Sequence, residues 1–597
     1  MPARAASVEV ERAAFLKAYA SAQLGSADWR AQAATLTDYP LYPYLEATYI
    51  EHNLHTASFD EVAAYLKRYP GLIPAADLRR NYLHLLARRK DWNRFLALYR
   101  PDSNDTLACY ALQARLARGR KLDFARDLAA LWREPSLPDS CNAVQVWAHA
   151  HGLLTTTRLW QRIESAADAR RSDTIASLAR WLPHKDAIVA RRLVSALRHP
   201  TSAVRAAARW PDSARDREAA MLAITQLARR SSASAVLAWP RLQQHFHFST
   251  AMQNRILRSL ALHRAYDFGD DALALLAALP DDAEDEATRA WRVRVAVARR
   301  NWRAARAGLD VLDTEQKQEN SWRYMRARVL QKLGEDKKAR AEFSALADSA
   351  DYWGFLSADR LGAAYAICPR DPPQDAARGQ ALAARPGFAR AFELFAVGML
   401  HDARREWLRA LRDTDPESQQ LIAGLAFRRG WYSRAIFTFS YGDLLHFYRE
   451  RFPLEYRNSV NAAAKETDLD PAWVYALIRA ESAWIPDAGS QAGARGLMQL
   501  RPGTARRVAR RHHISFDGDL FEPHTNIALG TFYLARMAQR YDGAPWLAAA
   551  AYNAGPIRVD AWLDARGALD PDLFVATIPF GETRRYVIGV MAYSVIY

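Results

Sequence analysis

Cysteine is nearly absent from this chain: 597 residues hold three, Cys109, Cys141 and Cys368, and they leave no zinc-finger spacing. Long apolar runs are absent too, and none approaches the ~18 residues of a membrane span. The start, Met-Pro-Ala-Arg-Ala-Ala-Ser, lacks the apolar core of a secretion signal. Either the chain works in the cytoplasm, or its numbering begins after a signal has been removed. There is no ribonucleoprotein aromatic motif and no Gly-rich phosphate loop, so nucleic acid is not an expected partner. The fifteen histidines show no ligand spacing, and His512-His513 lies in a basic stretch expected to be exposed. No metal and no cofactor is expected. Strand-like alternation of useful length is missing from residues 1–370.

What is present is ordinary for a folded protein. Hydrophobic residues make up 50% and charged ones 25%, over a length that allows several domains with large cores. The net charge is +16, but residues 449–597 balance 17 Lys and Arg against 16 Asp and Glu. The basic excess therefore belongs to the first three quarters. Arg-rich pairs on helices are most often a solvated face; the functional reading is attraction to a polyanion, which salt would weaken.

Residues 1–370 read as helix after helix, with a loose repeat. Ala87-Arg-Arg-Lys-Asp-Trp92, Ala298-Arg-Arg-Asn-Trp302 and Phe427-Arg-Arg-Gly-Trp431 each sit between two apolar-periodic segments. Trp291 and Trp322 open similar units, and Ala304-Ala-Arg306 recurs as Lys338-Ala-Arg340. Both offsets are close to the period of tetratricopeptide-like helical hairpins, whose apolar faces are buried only by stacking into a solenoid. These tryptophans read as packing between hairpins rather than as sugar platforms. Cys368-Pro-Arg-Asp-Pro-Pro-Gln-Asp375 cannot hold a helix and marks a boundary. The expectation is an all-α chain: a solenoid over 1–370, a helical linker domain over 371–448, and a mainly α domain over 449–597.

That last quarter carries the chemistry. Asp470 is a helix N-cap and Pro471 fits the first helical position. Val474, Leu477, Ile478 and Glu481 then fall at i, i+3, i+4 and i+7, one face of a helix. A carboxyl at the end of an apolar stripe is costly to ionise, so its pKa should rise toward that of a general acid. The alternative is a helix ending near Ala480, with Glu481 in solvent. Further on come a Gly-rich loop over 489–499, a helix from Ile527 to Tyr541 with Asn526 in a capping position, and a helix from Pro545 stopped by Gly555-Pro556. Glu582 opens a last helix that carries Tyr586, Val590 and Tyr593.

Glu481-Ser482, Ser490-Gln-Ala-Gly-Ala-Arg-Gly-Leu-Met-Gln499, Ala551-Tyr-Asn-Ala-Gly555 and Glu582-Thr-Arg584 occur in this order. Together the set resembles the soluble lytic transglycosylases of bacterial cell walls, which have a goose-lysozyme-like catalytic domain. The resemblance implies a solenoid closed into a ring with the catalytic domain seated on it. It implies a monomer in the periplasm, associated with the cell envelope, whose partners are peptidoglycan strands and muropeptides. It also suggests a Cys109–Cys141 disulfide; the alternative is three buried thiols.

The implied reaction cleaves the bond between N-acetylmuramic acid and N-acetylglucosamine, leaving a 1,6-anhydro ring. Glu481 would serve as both acid and base. Ser482 and Ser490 would bond Glu481 or the sugar, Gln499 and Asn553 would offer amides, and Met498 an apolar surface unless it is core. Tyr552 would lie near the acid or the acetamido group. Glu582 would lie near the muramoyl site, or be a first-turn charge favoured by the helix dipole. Asp487 reads as loop surface. Arg501 stands where relatives commonly have an apolar residue before Met-Pro; it would meet the lactyl or peptide part of the substrate, unless it points into solvent. A lysozyme-type hydrolase and a non-catalytic wall-binding scaffold stay open.

Overall fold

The computed structural model describes residues 2–101, 104–567 and 569–597, with side chains from residue 8 onward. Helices follow one another from Pro2–Gln23 to Gly581–Ile596, and no strand occurs among the described residues. Two compact units emerge: Met1–Ala206 with Ser213–Ala223 and Asp375–Ile422, and Ala207–Asp212 with Ile224–Gln374 and Ala423–Tyr597.

The repeat seen in the sequence is a recurring hairpin turn. Lys90, Arg300 and Gly430 each adopt positive φ, at 58°, 54° and 80°, within two residues of the end of the first helix of a pair. Asp91 and Asn301 then cap the second helix, accepting from the amides of Arg94 and Ala304. Trp291, Trp322 and Trp431 are buried between helices.

In the first unit, the helices after the Pro-rich stretch fold back onto the start of the chain. Arg12 donates to both carboxylate oxygens of Glu393, at 2.9 and 2.8 Å. The fully buried Glu406 accepts from Tyr44 at 2.9 Å and from Arg390 at 3.0 Å. Cys109 and Cys141 are joined, tying the Asp105–Ala117 helix to the turn at Asp139–Cys141, while Cys368 is exposed and free.

In the second unit, one hydrophobic core runs from Ala290 and Phe343 in the hairpins to Val474, Phe574 and Val590 in the last quarter of the chain. A buried ionic cluster reinforces it. Asp572 accepts from Tyr324 at 2.7 Å, Arg328 at 2.5 Å and Arg360 at 3.0 Å. Removing one partner of such a cluster strands a buried charge, at a cost of about 3–5 kcal/mol.

Candidate active site

Glu481 is carried by the Pro471–Ser482 helix. Asp470 caps it, accepting from Ala472 N at 2.8 Å, and Val474, Leu477 and Ile478 are fully buried. The helix runs on to Ser482, so Glu481 sits inside its last turn, half-buried. Ala483 and Trp484 then take left-handed φ values of 48° and 64°. Non-glycine residues there cost about 1 kcal/mol or more each and are held by their surroundings. Trp484 is buried and donates its indole N–H to Tyr597 Oη at 3.1 Å, while Tyr475 stacks on the Tyr597 ring.

The Glu481 carboxyl is pushed up to about 7. Burial raises it most; a hydrogen bond donated by Tyr586 Oη to Oε1 at 2.7 Å pulls it back; the charge of Glu582 adds a smaller rise. Tyr586 comes from the Gly581–Ile596 helix, which opens with exposed Glu582 and packs against the Pro471–Ser482 helix. Tyr552, at the end of the Pro545–Ala554 helix, is kept neutral by burial and by the Glu481 charge. Its hydroxyl donates to Met498 O at 2.8 Å. Asn553 accepts from the Thr583 hydroxyl at 2.7 Å, fastening that helix to the last one. Gly555 ends the Pro545–Ala554 helix at φ 87°, so the next helix can start at Pro556.

The 489–500 loop is pinned by two isolated bridges, Gly489 to Arg495 and Arg495 to Leu500. Ser490 is exposed and its hydroxyl accepts from Ala494 N. Gln499 has φ 47° and donates its amide to Ala488 O and Gly496 O, at 3.0 and 2.9 Å. Arg501 is exposed but folds along the loop, donating to Ala492 O from Nε and Nη2.

Three expectations change. Met498 is core and offers no sugar-facing surface: it is fully buried, and its thioether fills the space left by Gly530, where a Cβ would stand 2.4 Å from the sulfur. Asn526 is no helix cap. That helix spans Pro523–Arg540 and is capped by Glu522, which accepts from His524 N and Thr525 N. The fully buried Asn526 instead accepts from Met498 N at 2.7 Å and donates to Leu520 O and Arg495 O, at 2.8 and 3.1 Å. Ser482 is buried and turned back on its own helix, donating to Ile478 O rather than to Glu481. Tyr586 escaped the sequence reading as a site residue. Its signal was there: it lies four residues after Glu582, one turn along the same face.

A half-buried acid poised near neutrality beside a phenol donor can give and take a proton, the equipment of a general acid–base enzyme. Comparisons with known proteins narrow that class. Residues 458–575 match the transglycosylase SLT domain, and 381–445 the soluble lytic murein transglycosylase L domain. The soluble lytic murein transglycosylases of Salmonella typhimurium and Escherichia coli K12 are each 31% identical over 573 residues, 94% of this chain and 88% of theirs. The solved 70-kDa soluble lytic transglycosylase of Escherichia coli superposes with a TM-score of 0.89 at 28% identity, over 99% of this chain and 96% of that one. An inactive mutant of the lytic transglycosylase Slt from Pseudomonas aeruginosa gives 0.82 at 33% identity, over 98% and 96%. The chain belongs to the soluble lytic murein transglycosylase family, and its fold is that family's helical superhelix with a lysozyme-like domain.

Proposed function

We propose that this chain cleaves the β-1,4 bond between N-acetylmuramic acid and N-acetylglucosamine in peptidoglycan without water, in cell-wall turnover and recycling. The observation that carries this reading is the Glu481 carboxyl, poised near pH 7 and held by Tyr586. Protonated Glu481 gives its proton to the glycosidic oxygen as the bond to C1 breaks. The substrate's own 2-acetamido group stabilises C1 from below. Ionised Glu481 then takes the proton of the muramoyl C6 hydroxyl, whose oxygen closes on C1 to form the 1,6-anhydro ring. A pKa near the working pH serves both transfers.

Tyr586 orients the carboxyl. Ser490, Gln499, Asn553, Glu582 and Arg501 are assigned to the glycan and its peptide, with Tyr552 near the acetamido group. Residues 449–597 are the catalytic domain in this reading, 371–448 the linker and 1–370 the solenoid. The family matches at 458–575 and 381–445 support the division between linker and catalytic domain. The protein acts as a monomer in the periplasm, at the cell envelope. No helix among the described residues is long and apolar enough to cross a membrane.

Digestion of purified peptidoglycan tests the reaction. Anhydro ends are expected, whereas new reducing ends would make the enzyme a lysozyme-type hydrolase, and no cleavage would leave a scaffold. A solved structure of the 70-kDa soluble lytic transglycosylase holds bulgecin A; the same compound is expected to compete with substrate here.

A further inference from the structure

The Gly581–Ile596 helix has a second face with a cavity of its own. Arg584 and Ile588 lie two residues to either side of Tyr586, about 200° around the helix, and so face away from Glu481. They line a cavity of about 400 Å³ shared with the hairpin residues Arg294, Trp322, Glu286 and Glu319. That volume is in the range of small-ligand sites.

Its charges are unusual in how they fail to pair. Arg294 is held over the Trp322 and Trp291 rings, at 4.6 and 5.5 Å, and makes one hydrogen bond, to Ala576 O at 3.2 Å. Arg584 likewise makes one, to Ile578 O at 2.7 Å. Among the described residues neither has a carboxylate within ion-pairing distance. Each guanidinium is nonetheless pushed toward its neutral form by burial first, and Arg294 next by the charge of Arg584. Two guanidiniums forced together in a cavity are an anion site waiting for planar, bidentate contact. Glu286 and Glu319, both exposed, line the same cavity and act on Arg294 through space without pairing with it. Opposite charges that share a cavity yet stay apart fit a ligand that spans them.

We propose that this cavity binds a zwitterionic amino acid or short peptide, its carboxylate on Arg294 and Arg584 and its ammonium on Glu286 and Glu319. Two sources share that chemistry: a peptide stem still joined to a glycan strand, through its free side-chain amine and carboxylates, and a peptide already released from one. The site is independent of the glycosidic reaction, so its failure and that of the catalytic reading are separable.

The test is calorimetric titration of the full chain carrying Glu481→Gln, which removes turnover. The probe is the tripeptide L-Ala-γ-D-Glu-meso-diaminopimelate, compared with the same tripeptide acetylated on both amines, the same tripeptide amidated at its carboxylates, and a glycan oligomer bearing the stem. Saturable binding of the free tripeptide, or binding of the glycan-linked stem that exceeds that of the same oligomer without its stem and depends on Glu319, is expected, and which of the two occurs tells the source. Either blocking step should weaken tripeptide binding at least tenfold. Glu319→Gln and Arg584→Gln should each weaken binding at least fivefold, and the exposed Glu319 keeps the test valid if the arginine variant misfolds. No binding of either probe up to millimolar concentration, equal binding of the blocked forms, or binding indifferent to Glu319→Gln would overturn the proposal.

Discussion

Tyr586 donates its phenol proton to Glu481 across 2.7 Å, from the distant helix that begins at Gly581. The bond favours the carboxylate and so works against burial, which favours the acid. Tyr586→Phe should therefore raise the Glu481 pKa. The alkaline limb of the pH–rate profile should move upward, and kcat should fall about 10- to 100-fold as the carboxyl loses its anchor, in line with a charge-assisted hydrogen bond. A lower rate with an unmoved limb would show that Tyr586 does not act through Glu481.

Glu481→Gln should fold and lose at least ~10² in activity, the usual size of a lost general acid or base. Its stability should also change with pH. The folded pKa, about 7, lies above the ordinary 4.5, so between those values the folded state keeps a proton that the unfolded chain has lost. Native stability thus falls as pH rises through this window and stays lower above it. The glutamine variant escapes that loss, by up to about 3 kcal/mol at pH 8 and none at pH 4. Unfolding midpoints of both proteins at the two pH values check the sign.

Asn526→Ala should cost about 2–5 kcal/mol, because Met498 N, Leu520 O and Arg495 O lose their partner at once. Activity should fall with it, since Met498 O is the acceptor for Tyr552. Hydrogen exchange should locate the loosening in residues 489–500; protection unchanged there would mean the loop is held without Asn526.

Replacing Cys109 and Cys141 by serine should lower stability by about 4 kcal/mol, the chain-entropy value for a loop closed across a separation of 32. Glu481 lies in the other compact unit, so turnover below the melting point should be unaffected. Alkylation with mass spectrometry on periplasmic material should find only Cys368 free.

Arg501→Met should weaken binding of peptide-bearing strands by about 1–2 kcal/mol and spare peptide-free ones. Equal effects on both substrates, or none on either, would leave Arg501 as a brace for Ala492 O.

Local rules were enough to place Glu481. The cap at Asp470, the proline at 471 and the apolar stripe ending in the acid belong to one short segment, and helical geometry does the rest. The hairpin repeat was legible for the same reason, since its capping residues and buried tryptophans recur at a short period. Tertiary structure alone decided who meets the acid. Tyr586 and Glu582 reach it from a distant helix, and no short-range pattern records that approach. Asn526 looks like a cap in sequence because polar residues before an apolar run usually are. It became the clamp of the 489–500 loop because Pro523 and Glu522 moved the helix start upstream and left its amide facing three backbone groups. Met498 went to the core because Gly530, on a separate helix, has no Cβ, and only packing brings that vacancy against that thioether.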